Sequence, residues 1–315
     1  MAKKILLSGI KPTGRLHIGN YFGAARQFVN LQDEYDCYFM IADYHALNLV
    51  QDGARMRSQI LELATDYLAL GLDPRRAVIF KQSDVSAHTE LAWIFDTVTT
   101  MPYLMRAHAF KDAEAKDKEI SVGTFNYPML MAADILLYDS DLVPVGQDQK
   151  QHIEYARDTA EKFNRLFGET FKLPQDHIID AVKTVPGNDG RKMSKSYGND
   201  LYLFASDDEI RKFVMSIVTD SGSGIPTNVR AIHELVRDTA YLDKLYTENA
   251  GKYKVLKDAL VADLIALIAP LRERREKYAR NPKKVMKILA RGAKQARKVA
   301  DKKMETVRKV VGVAF

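Results

Sequence analysis

Apolar residues in the first half of the chain follow two alternating rhythms. KKILLSGI (3–10), DCYFMIADYHAL (36–47) and RRAVIFKQ (75–82) are apolar runs of strand length, while YFGAARQFVNLQDEY (21–35) and RMRSQILELATDYLALG (55–71) carry apolar residues at helical spacing. Strand, helix, strand, helix, strand predicts an α/β protein with a doubly wound parallel sheet and crossover helices. Ligands of such sheets bind beyond the carboxyl ends of the strands. Further on, YPMLMAADILLYDSDLVPVG (127–146) predicts a buried helix and then a short strand, and HAFKDAEAKDKEI (108–120) reads as an exposed loop or frayed helix. From about Ser206 only helical patterns remain, starting with a capping box in which Glu209 follows Ser206 by three residues. That change predicts a boundary between 1–204 and an all-helical segment, 205–315.

The last predicted helix starts at Asn281, a capping residue, with Pro282 in its first turn. Val285, Ile288, Leu289, Ala296, Val299, Ala300 and Val307 trace its apolar face. The opposite face carries Lys283, Lys284, Lys287, Arg291, Lys294, Arg297, Lys298, Lys302, Lys303, Arg308 and Lys309, against Asp301 and Glu305. A charged face of this kind is more often simply solvated than functional.

Composition narrows the class. With 46% hydrophobic and 28% charged residues the chain suits a folded, water-soluble protein, and no apolar run reaches the roughly 18 residues of a membrane span. The start, MAKKILLSGI, lacks the length and cleavage site of a secretory signal, so a cytoplasmic protein is expected. The single cysteine, Cys37, excludes an internal disulfide and a multi-cysteine zinc site, and its apolar surroundings predict core packing. A net charge of +6 hints at a polyanionic partner.

Two short motifs carry the chemistry. PTGRLHIGN (12–20) follows the first strand and opens a helix near Gly19, so unpaired amides and the positive helix end face the crevice, a setting for phosphate. His17 and Asn20 add donors for a phosphate oxygen or a ribose. Alone, HIGN reads equally well as a structural turn. Before the helical segment stands GRKMSKSYGN (190–199), whose Lys192 and Lys195, on a loop, can follow charge developing on a leaving pyrophosphate. Each motif is weak; together, in this order, they are specific.

The pair resembles the HIGH and KMSKS motifs of class I aminoacyl-tRNA synthetases, with Lys192, Met193, Ser194, Lys195 and Ser196 unaltered. SGIKPTG (8–14), NYPMLMAADILLY (126–138) and VPVGQDQKQHIE (143–154) extend the likeness to the tryptophanyl branch over nearly the whole chain. Lys11 and Leu7, where Gln and Phe are frequent in that branch, resemble a second, less typical bacterial group. The resemblance implies a Rossmann-like catalytic domain over 1–204 and a helical tRNA anticodon-binding domain over 205–315. It also implies activation of L-tryptophan by ATP with Mg2+ held mainly through the phosphates, transfer to tRNA(Trp), and a homodimer. His17, Asn20, Thr13, Lys192 and Lys195 are then the catalytic residues. Lys11, Pro12, Thr13, Gly19, Asn20, Gly146, Gln147, Asp148 and residues 192–196 would meet the nucleotide, with Asp148 at the ribose.

In the amino-acid pocket, Tyr127, Met131 and Asp134 stand at i, i+4 and i+7, on one helix face. An indole N–H is a donor only and a buried carboxylate suits it, so Asp134 is the expected contact, with Met131 packing on the ring. Gln149 would meet the amino group, and His45, at a strand end, would line the same pocket or pack in the core. The tyrosyl branch is the near rival, although it carries Gln where this chain has Met131. A non-aminoacylating regulatory or RNA-binding relative would lose the motif lysines or histidine, and a nucleotidyltransferase acting on another acid would have no use for the basic helical segment. No Ser-His-Asp or Cys-His nucleophile constellation is evident, and the activation step requires none.

Overall fold

The computed structural model describes residues 3–107, 110–111, 114, 119–145, 150–178, 185–219 and 224–314. Five parallel strands, β1 (Ile5–Ile10), β2 (Asp36–Ile41), β3 (Ala77–Lys81), β4 (Leu142–Val145) and β5 (Gln175–Ile178), lie in the order β3-β2-β1-β4-β5. Strand order reverses between β1 and β4, which opens a crevice beside the carboxyl end of β1. The predicted Rossmann-like parallel sheet is therefore present. β5, with its polar sequence QDHI, has no apolar alternation and was not predicted; it is placed by backbone pairing to β4, Leu142 opposite Gln175.

Alternation along the strands feeds two apolar layers. Leu6, Cys37, Phe39, Ile41, Ala77 and Ile79 face one layer, whereas Leu7, Met40, Phe80 and Val143 face the other. The first layer is closed by helix α1, a run of three segments, Ile18–Asn20, a π-helical turn Tyr21–Ala25 and Arg26–Leu31, and by α2 (Gly53–Leu70). The second is closed by α3 (Ala87–Val98), α4 (Val122–Leu136) and α5 (Lys150–Phe167). Cys37 is buried, and its thiol pKa is pushed up to about 12 by burial and by Asp36, so it packs as an unreactive small side chain. Of the loop expected at 108–120, only residues 110–111, 114 and 119–120 are among those described.

After Ser206 the described chain is helical, as expected: α6 (Asp207–Ser216), α7 (Thr227–His233), α8 (Thr239–Glu248), α9 (Tyr253–Ala279) and α10 (Pro282–Val310). Ser206 and Glu209 make the predicted capping box, and Asn281 Oδ1 accepts from the Lys284 amide at 3.1 Å. The path of α10 was not foreseen. It runs back along the edge strand β3, so close that a Cβ on Gly292 would overlap the Ile79 carbonyl oxygen. Only glycine fits there. Ala293, Ala296, Ala300, Met304 and Val307 enter the second apolar layer, and Val285 and Leu289 the first. The helix thereby covers an otherwise open sheet edge.

Candidate active site

The PTGRLHIGN stretch turns the chain from β1 into α1. Gly14 has φ of 112°, which a side chain would strain, and the Thr13 amide donates to the Lys11 carbonyl at 2.8 Å to tighten the turn. Helix α1 starts at Ile18, one residue before the expected Gly19, because His17 is its cap. The His17 amide donates to Asn20 Oδ1 at 3.0 Å, and the Asn20 amide donates to His17 Nδ1 at 3.3 Å. An accepting Nδ1 places the imidazole proton on Nε2. Burial, with a smaller contribution from Lys195, lowers the His17 pKa against the raising influence of Asp200. The ring is thus neutral at pH 7 and offers one N–H donor. The π-helical turn follows directly, and its Gly23 and Ala24 line the crevice.

The lysine-serine loop is fastened to this turn. The Ile18 amide donates to the Leu201 carbonyl at 3.0 Å and the Leu203 amide to the Leu16 carbonyl at 2.9 Å. Met193 is buried, and a Cβ on Gly19 would sit 3.6 Å from its Cβ. A Cβ on Gly14 would sit 3.6 Å from Lys195 Nζ, so the ammonium group rides over the glycine turn. Desolvation lowers the Lys195 pKa, opposed by Asp200 and Asp66. Lys192 and Ser196 are exposed and Ser194 half-buried. The loop's own scaffold is Asn199. Its amide nitrogen donates to Asp189 Oδ1 at 2.7 Å and to the Lys192 carbonyl at 3.2 Å, and its Oδ1 accepts from the Ser194 amide at 2.8 Å. A side chain at Gly187 would overlap this amide.

Between β1, β4, α1 and α4 lies a cavity of about 570 Å³. The end of β1 and the turn into α1 line it with Gly9, Ile10, Lys11, Gly19 and Asn20, and the neighbouring elements with Leu7, Met40, His45, Tyr127, Met131, Asp134, Val143 and Ile153 among others. Desolvation lowers the Lys11 pKa. Asp134 is 2% exposed. Its Oδ2 accepts from His45 Nε2 at 2.9 Å, and its Oδ1 from Gln82 Nε2 at 2.7 Å and His88 Nδ1 at 2.6 Å. Burial pushes this carboxyl up, but the two histidines more than offset that and hold it below the usual range, so it is ionised. A second cavity, about 690 Å³, lies beside the loop and is lined by Arg15, Lys195, Asp200, Tyr202, Glu209 and Lys212 among others. Apart from Lys195 it contains none of the predicted substrate residues, so the smaller crevice at the strand-order reversal is the better candidate for the chemistry.

A nucleotide-suited helix entry, a lysine loop pinned to it and an aromatic-sized cavity with a buried carboxylate thus stand side by side. Residues 2–264 match the family model described as tRNA synthetases class I (W and Y). The chain belongs to this family. A tryptophan--tRNA ligase of Fusobacterium nucleatum is 44% identical over 98% of this chain and 97% of its own length, and one of Rhodopirellula baltica is 45% identical over 98% and 99%. The crystal structure of tryptophanyl-tRNA synthetase from Campylobacter jejuni, complexed with ADP and tryptophan, superposes with a TM-score of 0.91 at 41% identity, covering 98% of this chain and 99% of that one.

For this synthetase fold the structure brings together most residues expected from the sequence. Lys11, Gly19, Asn20, His45, Tyr127, Met131 and Asp134 line one cavity, His17 and Met193 adjoin Gly19, and Lys195 adjoins Gly14. Pro12 and Thr13 belong to the same turn without lining either cavity. Gly146, Gln147, Asp148 and Gln149 lie outside the described residues. Sequence reading missed Gln82, His88, Asn199 and Asp200. Asn199 stands within the motif stretch, but nothing local marks it as the loop's anchor, and Gln82 and His88 reach Asp134 across gaps of 52 and 46 residues.

Proposed function

We propose that this enzyme activates L-tryptophan with ATP and transfers it to tRNA(Trp). The observation that carries the reading is the cavity itself: an ionised, buried Asp134 in one lining with Met131 and Tyr127, which continues through Lys11, Gly19 and Asn20 to the turn that carries His17. In this reading the indole N–H donates to Asp134, and Met131 and Tyr127 pack on the ring. The tryptophan carboxylate attacks the α-phosphate of ATP, releasing pyrophosphate and forming the adenylate. Attack by a hydroxyl of the terminal tRNA ribose then releases AMP.

Positioning and charge stabilisation suffice for both steps. Neutral His17 donates from Nε2 to a phosphate oxygen, helped by amides at the start of α1, and Lys195 and Lys192 follow charge onto the leaving pyrophosphate. Asn20, Thr13 and Lys11 shape the nucleotide side. Among the described residues no group of three His, Cys, Asp or Glu side chains could hold a metal ion. Mg2+, held mainly through the ATP phosphates, would neutralise phosphate charge when bound.

The tryptophan reading is favoured over the tyrosyl one by Met131 on the cavity wall and by the tryptophan--tRNA ligase names of the relatives above. It is favoured over a regulatory relative by the assembled His17 and lysine loop. We also place the enzyme in the cytoplasm, as a homodimer, with 205–315 contributing to the anticodon end of the tRNA. No helix among the described residues is long and apolar enough to cross a membrane.

Amino-acid-dependent exchange of labelled pyrophosphate into ATP tests the reading. Exchange is expected with tryptophan and not tyrosine, and a Lys195→Ala variant should lose about a hundredfold in kcat, the usual size of one transition-state donor. Exchange with tyrosine alone, or with neither amino acid, would sink the assignment.

A further inference from the structure

Behind the cavity wall, Asp134 is supported by three side chains that do not themselves line the cavity. Gln82 and His88 are fully buried and Tyr138 is 1% exposed. Gln82 Oε1 accepts from the Tyr44 and His45 amides at 3.1 and 3.4 Å, which fixes the amide so that its nitrogen points at Asp134 Oδ1. His88 donates to the same oxygen from Nδ1, since a carboxylate only accepts, and its Nε2 stands 2.8 Å from the Tyr138 hydroxyl. Tyr138 keeps its proton, because burial and the nearby Asp134 push its pKa well above the usual value. His88 thus bridges the phenol and the carboxylate, and each link of the chain from Tyr138 to Asp134 is hydrogen-bonded. Oδ1 is occupied twice from behind. Among the described residues Oδ2 is shared only with His45, a wall residue.

We propose that Gln82, His88 and Tyr138 are positioning residues for ring specificity: they hold the Asp134 carboxylate so that the Oδ2 edge alone faces the cavity, ready to accept one ring N–H. A carboxylate free to rotate would accept less well and would recover by binding water. The cost would fall on N–H-bearing rings and spare isosteric rings without the donor. This inference rests on the reading of the cavity as the tryptophan pocket and names what gives that pocket its selectivity.

The test is pyrophosphate exchange with L-tryptophan and with β-(3-benzothienyl)-L-alanine, which replaces the ring N–H by sulfur. In the wild-type enzyme kcat/KM should favour tryptophan. The ratio is expected to fall about tenfold in His88→Leu, the scale of one hydrogen bond to an ionised group. It should fall by a smaller factor in Tyr138→Phe, and be largely restored in His88→Asn, whose amide nitrogen can stand near the place of Nδ1. A merely structural role would lower both substrates together. An unchanged ratio in His88→Leu and Tyr138→Phe overturns the proposal, and Tyr138→Phe decides alone if His88→Leu does not fold. Failure of the wild-type enzyme to use tryptophan is a different result, which overturns the site reading and this inference with it.

Discussion

Asp134 and Asp66 are both 2% exposed, yet burial affects them in opposite ways. Asp134 has three donors and a lowered pKa, whereas Asp66, on α2, has one, Arg275 Nε at 2.6 Å from α9. Its pKa is pushed up to about 6 because desolvation exceeds what Arg275 returns. The number of donors, more than depth, decides the sign. A carboxyl whose folded pKa exceeds its unfolded value makes the native state bind extra protons, so its effect is most favourable below about pH 4 and is lost as pH rises toward about 6. For Asp66 that loss is on the order of 3 kcal/mol. Arg275→Met should raise the folded pKa further, so its destabilisation, measured by urea unfolding, should be smaller at pH 5 than at pH 8. A deficit independent of pH would show that Arg275 acts through packing alone.

Helix α10 shows how one element serves two purposes. Its apolar face was legible from spacing, and Val285, Leu289, Ala296, Ala300 and Val307 are buried as that spacing predicts. Its basic face divides in a way the sequence could not disclose. Arg297 donates to the Asp84 carbonyl at 2.6 Å, Arg308 pairs with Glu90, Lys303 with Asp139, and Arg291 donates to the Pro74 carbonyl. These cations fasten the helix to the half of the chain that carries the sheet. Lys287, Lys294 and Lys298 are exposed on one face and have no ion-pair partner among the described residues. In the proposed function they are the ones available to phosphates. Replacing these three by Glu should raise KM for tRNA in aminoacylation and flatten the dependence of log K on log salt, by about 0.9 for each phosphate of duplex-like RNA that is no longer neutralised. An unchanged slope would remove α10 from the tRNA surface.

For the whole molecule, the face made by α3, α4 and the turn after α3 leaves large apolar side chains in water: Trp93 is 70% exposed, Met101 65% and Val122 74%. Asn126 Nδ2 donates to Asp96 Oδ2 at 3.1 Å and ties the two helices of this face together. Apolar side chains of this size, left exposed on packed helices, suit the proposed second copy of the chain. Sedimentation equilibrium should give about 71 kDa for the wild-type protein, twice 35.6 kDa, and about 36 kDa for Trp93→Glu. A monomeric wild-type protein would rule the dimer out, and a dimeric Trp93→Glu variant would place its interface elsewhere.

Local pattern was enough to determine the alternation of strands and helices and the capped starts of α6 and α10, and to nominate His17, Lys195, Met131 and Asp134 as candidate site residues. Each depends on neighbours within a few positions, where periodicity, capping and motif spacing act. Tertiary structure decided what depends on pairs far apart in the chain. Backbone pairing made a strand of QDHI, and the β3 edge drew in α10 at Gly292. Asn199 became the anchor of the lysine loop only when that loop folded back on itself. The support of Asp134 by Gln82 and His88 likewise needs the turn after β3 and the start of α3 to converge on the middle of α4. Desolvation then makes those contacts matter, because a charge that water would satisfy anywhere on the surface must find its donors inside the fold.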